Sequence, residues 1–284
     1  MSQLSKNHHY VPQGILRNFC FQNETTWYLS QDRFPCEPED RNIGSIFRRR
    51  HFNSYQRDDG TKDDTLERFF GENFDNYVPF WLSRFEAAIA SKQPVQLTDA
   101  ERMRFVQFFY NHMKRSPDFI EPIVKEVTEK TFHPNSILEL EKNVRPLTKT
   151  ERQKFSSQKY QQRLAANSRV VNFSRQSIGV LEKLNSMSLA IARPLRPQKQ
   201  FIVGSYPVIR FENYPLQPLG DHGVELWTTL SPTVAVGFAH SVSEPVLDLD
   251  DNQVRKLNTA IARKSRAIAS KSPRLISSIA NAVW

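Results

Sequence analysis

The chain has 284 residues and a net charge of +9, with 20 Phe, 9 Gly and 2 Cys. That length is enough to bury a core, while so few glycines argue against a turn-rich all-β protein, and no G-x-G-x-x-G or Walker-type run is present to cradle phosphates. Cys20 and Cys36 lie sixteen positions apart, which excludes a four-cysteine zinc site.

In chain order, the start MSQLSKNHHYVP is polar and lacks an apolar h-region, so no signal peptide is expected. No run approaches ~18 apolar residues, so no membrane span is expected. With only two cysteines, a reducing cytoplasm is the expected location. Thr26-Trp27-Tyr28-Leu29 reads as a short strand, followed by a loop punctuated by Pro35 and Pro38. From Asp63 to Ser91 the spacing of Leu66, Phe69, Phe70, Phe74, Tyr77, Trp81, Leu82, Phe85 and Ile89 predicts a helix, split or kinked at Pro79. Thr98-Asp99-Ala100-Glu101 is a capping box for the next helix, which should stop near Ser116 because Pro117 restrains it. Ser116-Pro117 then caps a helix over 118–131. A second capping box, Thr148 to Glu151, opens a basic helix to about Asn167, and a further helix is expected from about Ser174 to Ala192.

The pattern then changes to β-branched and aromatic pieces at 201–203, 206–209, 226–229 and 233–238, separated by Pro, Gly and Asp. Asp250-Asp251 starts a helix expected to run through Ser270 on a stripe of Val254, Leu257, Ile261 and Ile268, and Pro273 starts a short last helix. The fold class is α+β and predominantly helical, with a small sheet built from N-terminal and 200–240 segments. It is read as one domain over 1–284, with a helical middle at 61–192, a β region at 200–249 and C-terminal helices at 250–283.

Charge is uneven along the chain. Residues 142–200 hold 13 basic and 2 acidic side chains, 201–253 hold 1 and 7, and 254–284 hold 7 and none. Two basic segments suggest nucleic acid as the partner, against the plainer reading of solvated helix faces. Phe155, Tyr160 and Leu164 within the first basic segment read as a core stripe.

Adjacent His8 and His9 point to different sides of a strand, so each takes its own role: one as metal ligand, the other as base. Tyr10 offers a hydroxyl, and Pro12 stiffens the segment. Glu67 and Glu72 lie five apart, about 140° around a helix, so they do not share a face. Arg115 suits a helix C-terminus. Asn258 sits on an apolar face, either as a bridge to a loop or as a site residue. His112 reads as a core-edge histidine, and His133, His222 and His240 lack metal-ligand spacing.

Asn7-His8-His9-Tyr10-Val11-Pro12-Gln13, followed by Leu16 and Phe19, resembles the opening signature of domain-of-unknown-function family 4238. Asn53-Ser54-Tyr55, Leu66-Glu67 with Glu72, Arg115-Ser116-Pro117, Leu230-Ser231-Pro232 and Val254 to Asn258 resemble further family segments in the same order. One departure is Ser205, where the resemblance implies an acidic residue; if that acid supports a metal or base in relatives, the function here is altered. The family name confers no reaction.

His8-His9-x-Val11-Pro12 is also similar to the first strand of HNH-type nucleases. That likeness implies a divalent cation that stabilises charge on a scissile phosphate while an imidazole deprotonates water. It places His51, with Asn53 two residues on, as the nearest downstream partner and Arg48-Arg49-Arg50 as phosphate contacts. The candidate catalytic residues are therefore His9, His8, Glu72, Arg115 and Asn258. Candidate substrate contacts are Arg48, Arg49, Arg50, Tyr10 and Gln13, and candidate metal ligands are His8 and His51. The expected function is a metal-dependent, nuclease-like effector of toxin or phage-defence type. The alternative is a non-catalytic nucleic-acid- or partner-binding protein whose histidine motif locks the N-terminus onto the body.

Overall fold

Of the two larger sheets, one is drawn from residues 188–249 alone and the other from segments far apart in the chain. The computed structural model describes residues 6–284; residues 1–5, part of the polar start, lie outside the described residues. In the five-stranded sheet the order is Val246–Leu249, Ser188–Pro194, Val234–Ala239, Glu225–Ser231, Val208–Phe211. Its first pair is parallel and the others are antiparallel. Every residue of Val234–Ala239 is buried, so this strand is an apolar run instead of an alternating one. Gly237 is required there, because a Cβ would stand 2.2 Å from the Leu226 carbonyl oxygen. The four-stranded sheet runs Glu39–Asn42, Thr25–Ser30, Ala267–Ser270, Val203–Gly204, all antiparallel.

Helices and several small sheets together make the α+β class expected from the sequence. Where the sequence reading has a single small sheet, the described residues form four: two larger ones and the two-stranded ladders Asn7–His9 with Arg48–Arg50 and Tyr55–Gln56 with Lys62–Asp63. Thr25–Ser30 does share a sheet with Val203–Gly204, but the strands from 208 to 239 belong to the five-stranded one.

Both capping boxes form. Thr98 and Glu101 close the start of helix Asp99–Lys114, and Thr148 and Glu151 close that of Lys149–Ser156. Ser116 caps Pro117–Thr131 through the Phe119 amide. The helical run from Asp63 is interrupted at Phe74, between Thr65–Asn73 and Val78–Ser91, with a 3-10 turn over Asp75–Tyr77. Pro79 occupies the first turn of the second helix, where its missing N–H costs nothing. The basic helix also divides, into Lys149–Ser156 and Gln158–Ser174, because Ser157 is extended. Phe155 meets Phe132 edge-on and Tyr160 at a tilt, with ring centroids 6.0 Å from each, while Phe173 is buried in the main core.

Two expected helix ends are strands instead. Helix Ile178–Ser186 stops before Ser188–Pro194, which is hydrogen-bonded on both edges in the five-stranded sheet. Helix Asp251–Lys264 stops before Ala267–Ser270, an inner strand of the other sheet. Both pieces are rich in Ala and Ile and contain Ser, so they carry little period of their own. Pairing on two sides overrides their helical propensity.

Two hydrophobic clusters result. The first joins Val11, Ile15, Leu16 and Phe19 to Trp81, Phe85, Phe105, Phe109 and Phe238. The second packs Val254, Leu257, Ile261, Ile268, Ile276 and Ile279 against the sheets. Each fully buried aliphatic or Phe side chain contributes about 1.5–3 kcal/mol. Four such residues just after His9 therefore hold the opening strand firmly against the body. Among the described residues, no helix is long and apolar enough to cross a membrane.

Candidate active site

The opening strand Asn7–His9 pairs antiparallel with Arg48–Arg50, His8 opposite Arg49 and His9 opposite Arg48. Alternation along the strand sends the two imidazoles to opposite sides. His8 is fully buried. Its Nδ1 accepts the Asn53 backbone N–H at 2.9 Å, so in the neutral ring the proton sits on Nε2. That Nε2 is buried without a hydrogen-bond partner among the described residues and lies 3.7 Å from Asp64 Oδ1. His51 meets His8 edge-on, with ring centroids 6.1 Å apart. Ligand atoms of His8, His51 and Asp64 all lie within 4.8 Å of one another.

Local structure explains why Asp64 is available. It stands at the N-cap of helix Thr65–Asn73 yet makes no capping bond. Its neighbour Asp63 accepts the Thr65 N–H instead, at 2.9 Å. The Asp64 carboxylate turns inward and accepts the Ser54 hydroxyl. His51 is held in the left-handed region, at φ 55°, within the tight turn that also carries Asn53. The Asn53 side-chain amide donates to Glu67 Oε2 at 2.6 Å, and the same carboxylate oxygen lies 3.9 Å from His8 Nδ1. Burial holds the His51 imidazole below its usual pKa, and the charges of Lys62 and Arg50 act in the same direction.

On the other side of the strand, His9 opens into a cleft of about 360 Å³ lined by Gln13, Arg17, Glu67, Asp75 and Asn76. The Gln13 amide nitrogen is 3.4 Å from His9 Nε2. Burial lowers the His9 pKa, partly offset by a hydrogen bond to the Ile43 backbone, while Arg48 and Arg115 lower it further. Glu67 is thus a wall of this cleft and a neighbour of His8 at once.

Arg115 is the anchor beneath the motif. It is buried, forks onto both Asp75 carboxylate oxygens at 2.8 and 3.0 Å, and donates to the His9 carbonyl at 2.7 Å. Its guanidinium also covers the Phe70 ring at 4.6 Å.

A family model described as a protein of unknown function (DUF4238) matches residues 7–274. The chain belongs to this family. No curated protein and no solved structure matches it. The DUF4238 match spans the histidine pair, Arg115, Ser205 and Asn258 alike.

Against those residues, the fold of this DUF4238 protein gathers His8, His51, Asn53 and Glu67, with Arg115 holding the strand by its backbone. It does not gather Glu72 or Asn258. Glu72 is exposed, and Glu67 on the same helix is the carboxylate that reaches His8. Asn258 accepts the Ile202 N–H at 3.0 Å and donates to the Gln200 carbonyl at 2.9 Å, so it ties the 200–202 loop to its helix. Tyr10 packs edge-on against Phe47 and Phe52 in the core, with burial pushing its pKa up. Arg49 pairs with Glu121 and takes the side of the strand away from Arg48 and Arg50. Arg48 and Arg50 are exposed and face the His9 side of the ladder.

Ser205 lies elsewhere: its hydroxyl donates to Asp118, and its carbonyl accepts the Ser116 hydroxyl at 2.7 Å. A carboxylate therefore does meet this position, supplied by the helix after Arg115. The side chain that spacing alone missed is Asp64, whose signal, an Asp-Asp pair before a helix, reads first as a cap.

Proposed function

We propose that this protein is a divalent-metal-dependent hydrolase of nucleic-acid phosphodiesters, centred on the opening strand. The observation that carries the reading is the convergence of His8, His51 and Asp64 within 4.8 Å, with His8 Nε2 buried and unpaired among the described residues. Two imidazoles and a carboxylate are a fitting donor set for a cation. When bound, such a cation stabilises charge building on a phosphate and lowers the pKa of its water. The protein's own groups do the rest. Arg48 and Arg50 draw in the anionic backbone along the exposed ladder edge, and Lys62 adds charge beside His51. His9, steadied by Gln13, presents an imidazole nitrogen to the cleft on the opposite side of the strand from the cation, where it can take a proton from water held there, and Glu67, which borders both sides, links the two. Glu67, with an oxygen 3.9 Å from Nδ1, stands behind His8 to fix the ring.

A second reading is favoured by the bonds that hold the strand down. Arg115 on the His9 carbonyl and the Asn53 amide on His8 serve a purely anchoring motif equally well. The protein is then a nucleic-acid-binding module without catalysis.

Incubation of RNA and of single- and double-stranded DNA with the protein and Mg²⁺, Mn²⁺ or Zn²⁺ separates the two. The hydrolase reading expects cleavage that EDTA abolishes and that Asp64→Asn and His9→Ala suppress. Equal cleavage by wild type and both variants, or none by any, removes it. Salt-sensitive binding without cleavage supports the anchoring reading. For the toxin or defence setting, expression of wild type should arrest growth or block phage where Asp64→Asn does not.

A further inference from the structure

We infer that His8, His51 and Asp64 hold one borderline divalent cation of the zinc class, and that Glu67 is the positioning residue that sets the His8 tautomer for it. The inference rests on the reading above for its location, and its test reads binding instead of cleavage.

Two imidazole nitrogens and one carboxylate oxygen suit Zn²⁺ or Co²⁺ better than Mg²⁺ or Ca²⁺, which favour all-oxygen shells. Three protein ligands leave a position for water or substrate. The second, independent sign is His8 Nε2, a fully buried polar atom aimed at Asp64 with no hydrogen bond among the described residues. Leaving such an atom unpaired is destabilising unless something fills the gap.

The cation-free hydrogen bonds impose a condition. With the Asn53 N–H donating to Nδ1 at 2.9 Å, the ring proton occupies Nε2, where a cation needs a lone pair. Loading therefore requires the other tautomer: Nε2 loses its proton to solvent and Nδ1 gains one, so the ring stays neutral. A proton on Nδ1 repels the Asn53 N–H, which must turn away, but it finds Glu67 Oε2 only 3.9 Å off. His8 is thus bracketed by carboxylates, Asp64 beside Nε2 and Glu67 beside Nδ1. The pairing of Glu67 with Nδ1–H is the carboxylate–histidine–metal arrangement that orients a ligand ring and raises its basicity. Asn53 Oδ1 is also buried without a partner, as suits a residue able to rearrange when the tautomer changes.

The test is a titration of the full, chelator-treated protein with Co²⁺, followed by visible absorption, and with Zn²⁺ by calorimetry. The expected result is one saturable site per chain and no comparable uptake of Mg²⁺. His51→Ala and Asp64→Asn should each weaken uptake at least ~10-fold, and Glu67→Gln, which keeps shape but removes charge, by ~10–100-fold. The exposed His222→Ala should bind as wild type does. Melting temperatures without metal check folding; if Asp64→Asn melts early, His51→Ala carries the ligand test, and Glu67→Asp stands in for Glu67→Gln. Absence of saturable uptake by wild type, or wild-type affinity in His51→Ala, overturns the site. Wild-type affinity in the Glu67 variants overturns the role given to Glu67. Uptake without any cleavage of nucleic acid leaves this inference standing and removes the hydrolase.

Discussion

Two histidines of this protein are buried almost completely, His8 and His112, and they sit in opposite kinds of company. His112 stacks on Phe108 with ring centroids 5.3 Å apart, and neither of its nitrogens has a hydrogen-bond partner. Burial pushes its pKa down to about 3, and the nearby Arg115 charge adds to the effect. His8 faces Asp64, Glu67, His51 and the Asn53 amide. Burial is common to both, so burial is not what marks a site. The distinction is that His8 is ringed by groups that can share a proton or a cation, whereas His112 is a neutral plate in an aromatic stack.

The contrast can be broken most sharply at the level of rate. If His9 takes a proton in the reaction, His9→Ala should slow metal-dependent cleavage by ~10²–10⁴-fold, while His112→Phe leaves the rate within a few-fold. An equal loss from both, measured on one nucleic-acid substrate, would mean that the motif acts only through folding.

Next in size is the anchor. Arg115→Met strips the partner from Asp75 and the donor from the His9 carbonyl. Breaking a buried pair this way costs about 3–5 kcal/mol, so chemical denaturation should show a clearly earlier midpoint. Arg115→Lys should recover only part, because a single ammonium cannot fork onto two carboxylate oxygens. An unchanged midpoint in Arg115→Met would detach the opening strand's stability from this residue.

His112 offers a pH test with a defined sign. Its folded pKa of about 3 lies below the ordinary 6.5. Between those values the unfolded chain binds a proton that the folded chain refuses, so stability falls as pH drops from 6.5 toward 3. His112→Phe removes that contribution. The difference in unfolding free energy between variant and wild type should therefore grow in the variant's favour across that window and stay flat above pH 7. A difference independent of pH would place His112 in contact with water or a polar partner.

The smallest effect concerns Asn258. Asn258→Ala should destabilise by about 1–3 kcal/mol, because the Ile202 N–H and Gln200 carbonyl lose their partner. It should leave cation uptake at His8 unchanged. Weaker uptake in this variant would connect the 200–202 loop to the histidine cluster.

What the sequence disclosed follows the reach of each signal. Capping boxes at Thr98 and Thr148 and the Ser116-Pro117 start are local chemistry, and they formed where read. His8 and His51 could be paired as ligand types, but Asp64 could not be separated from Asp63, since only packing decides which of two adjacent carboxylates caps the helix. Glu67 and Glu72 were known to face different ways; which one faces the histidines depends on how the helix docks against the strand. Ser188–Pro194 and Ala267–Ser270 were hidden because their strand character comes from neighbours on both edges, not from their own pattern.

The most direct measurement is a crystal of the full protein soaked in Zn²⁺ and recorded at the zinc absorption edge. The expected result is an anomalous peak bounded by His8 Nε2, His51 and Asp64, with the Asn53 amide turned from Nδ1 and Glu67 drawn onto it. A map with no peak there, and the Asn53 N–H still seated on His8, would contradict a metal-dependent role for the histidine pair.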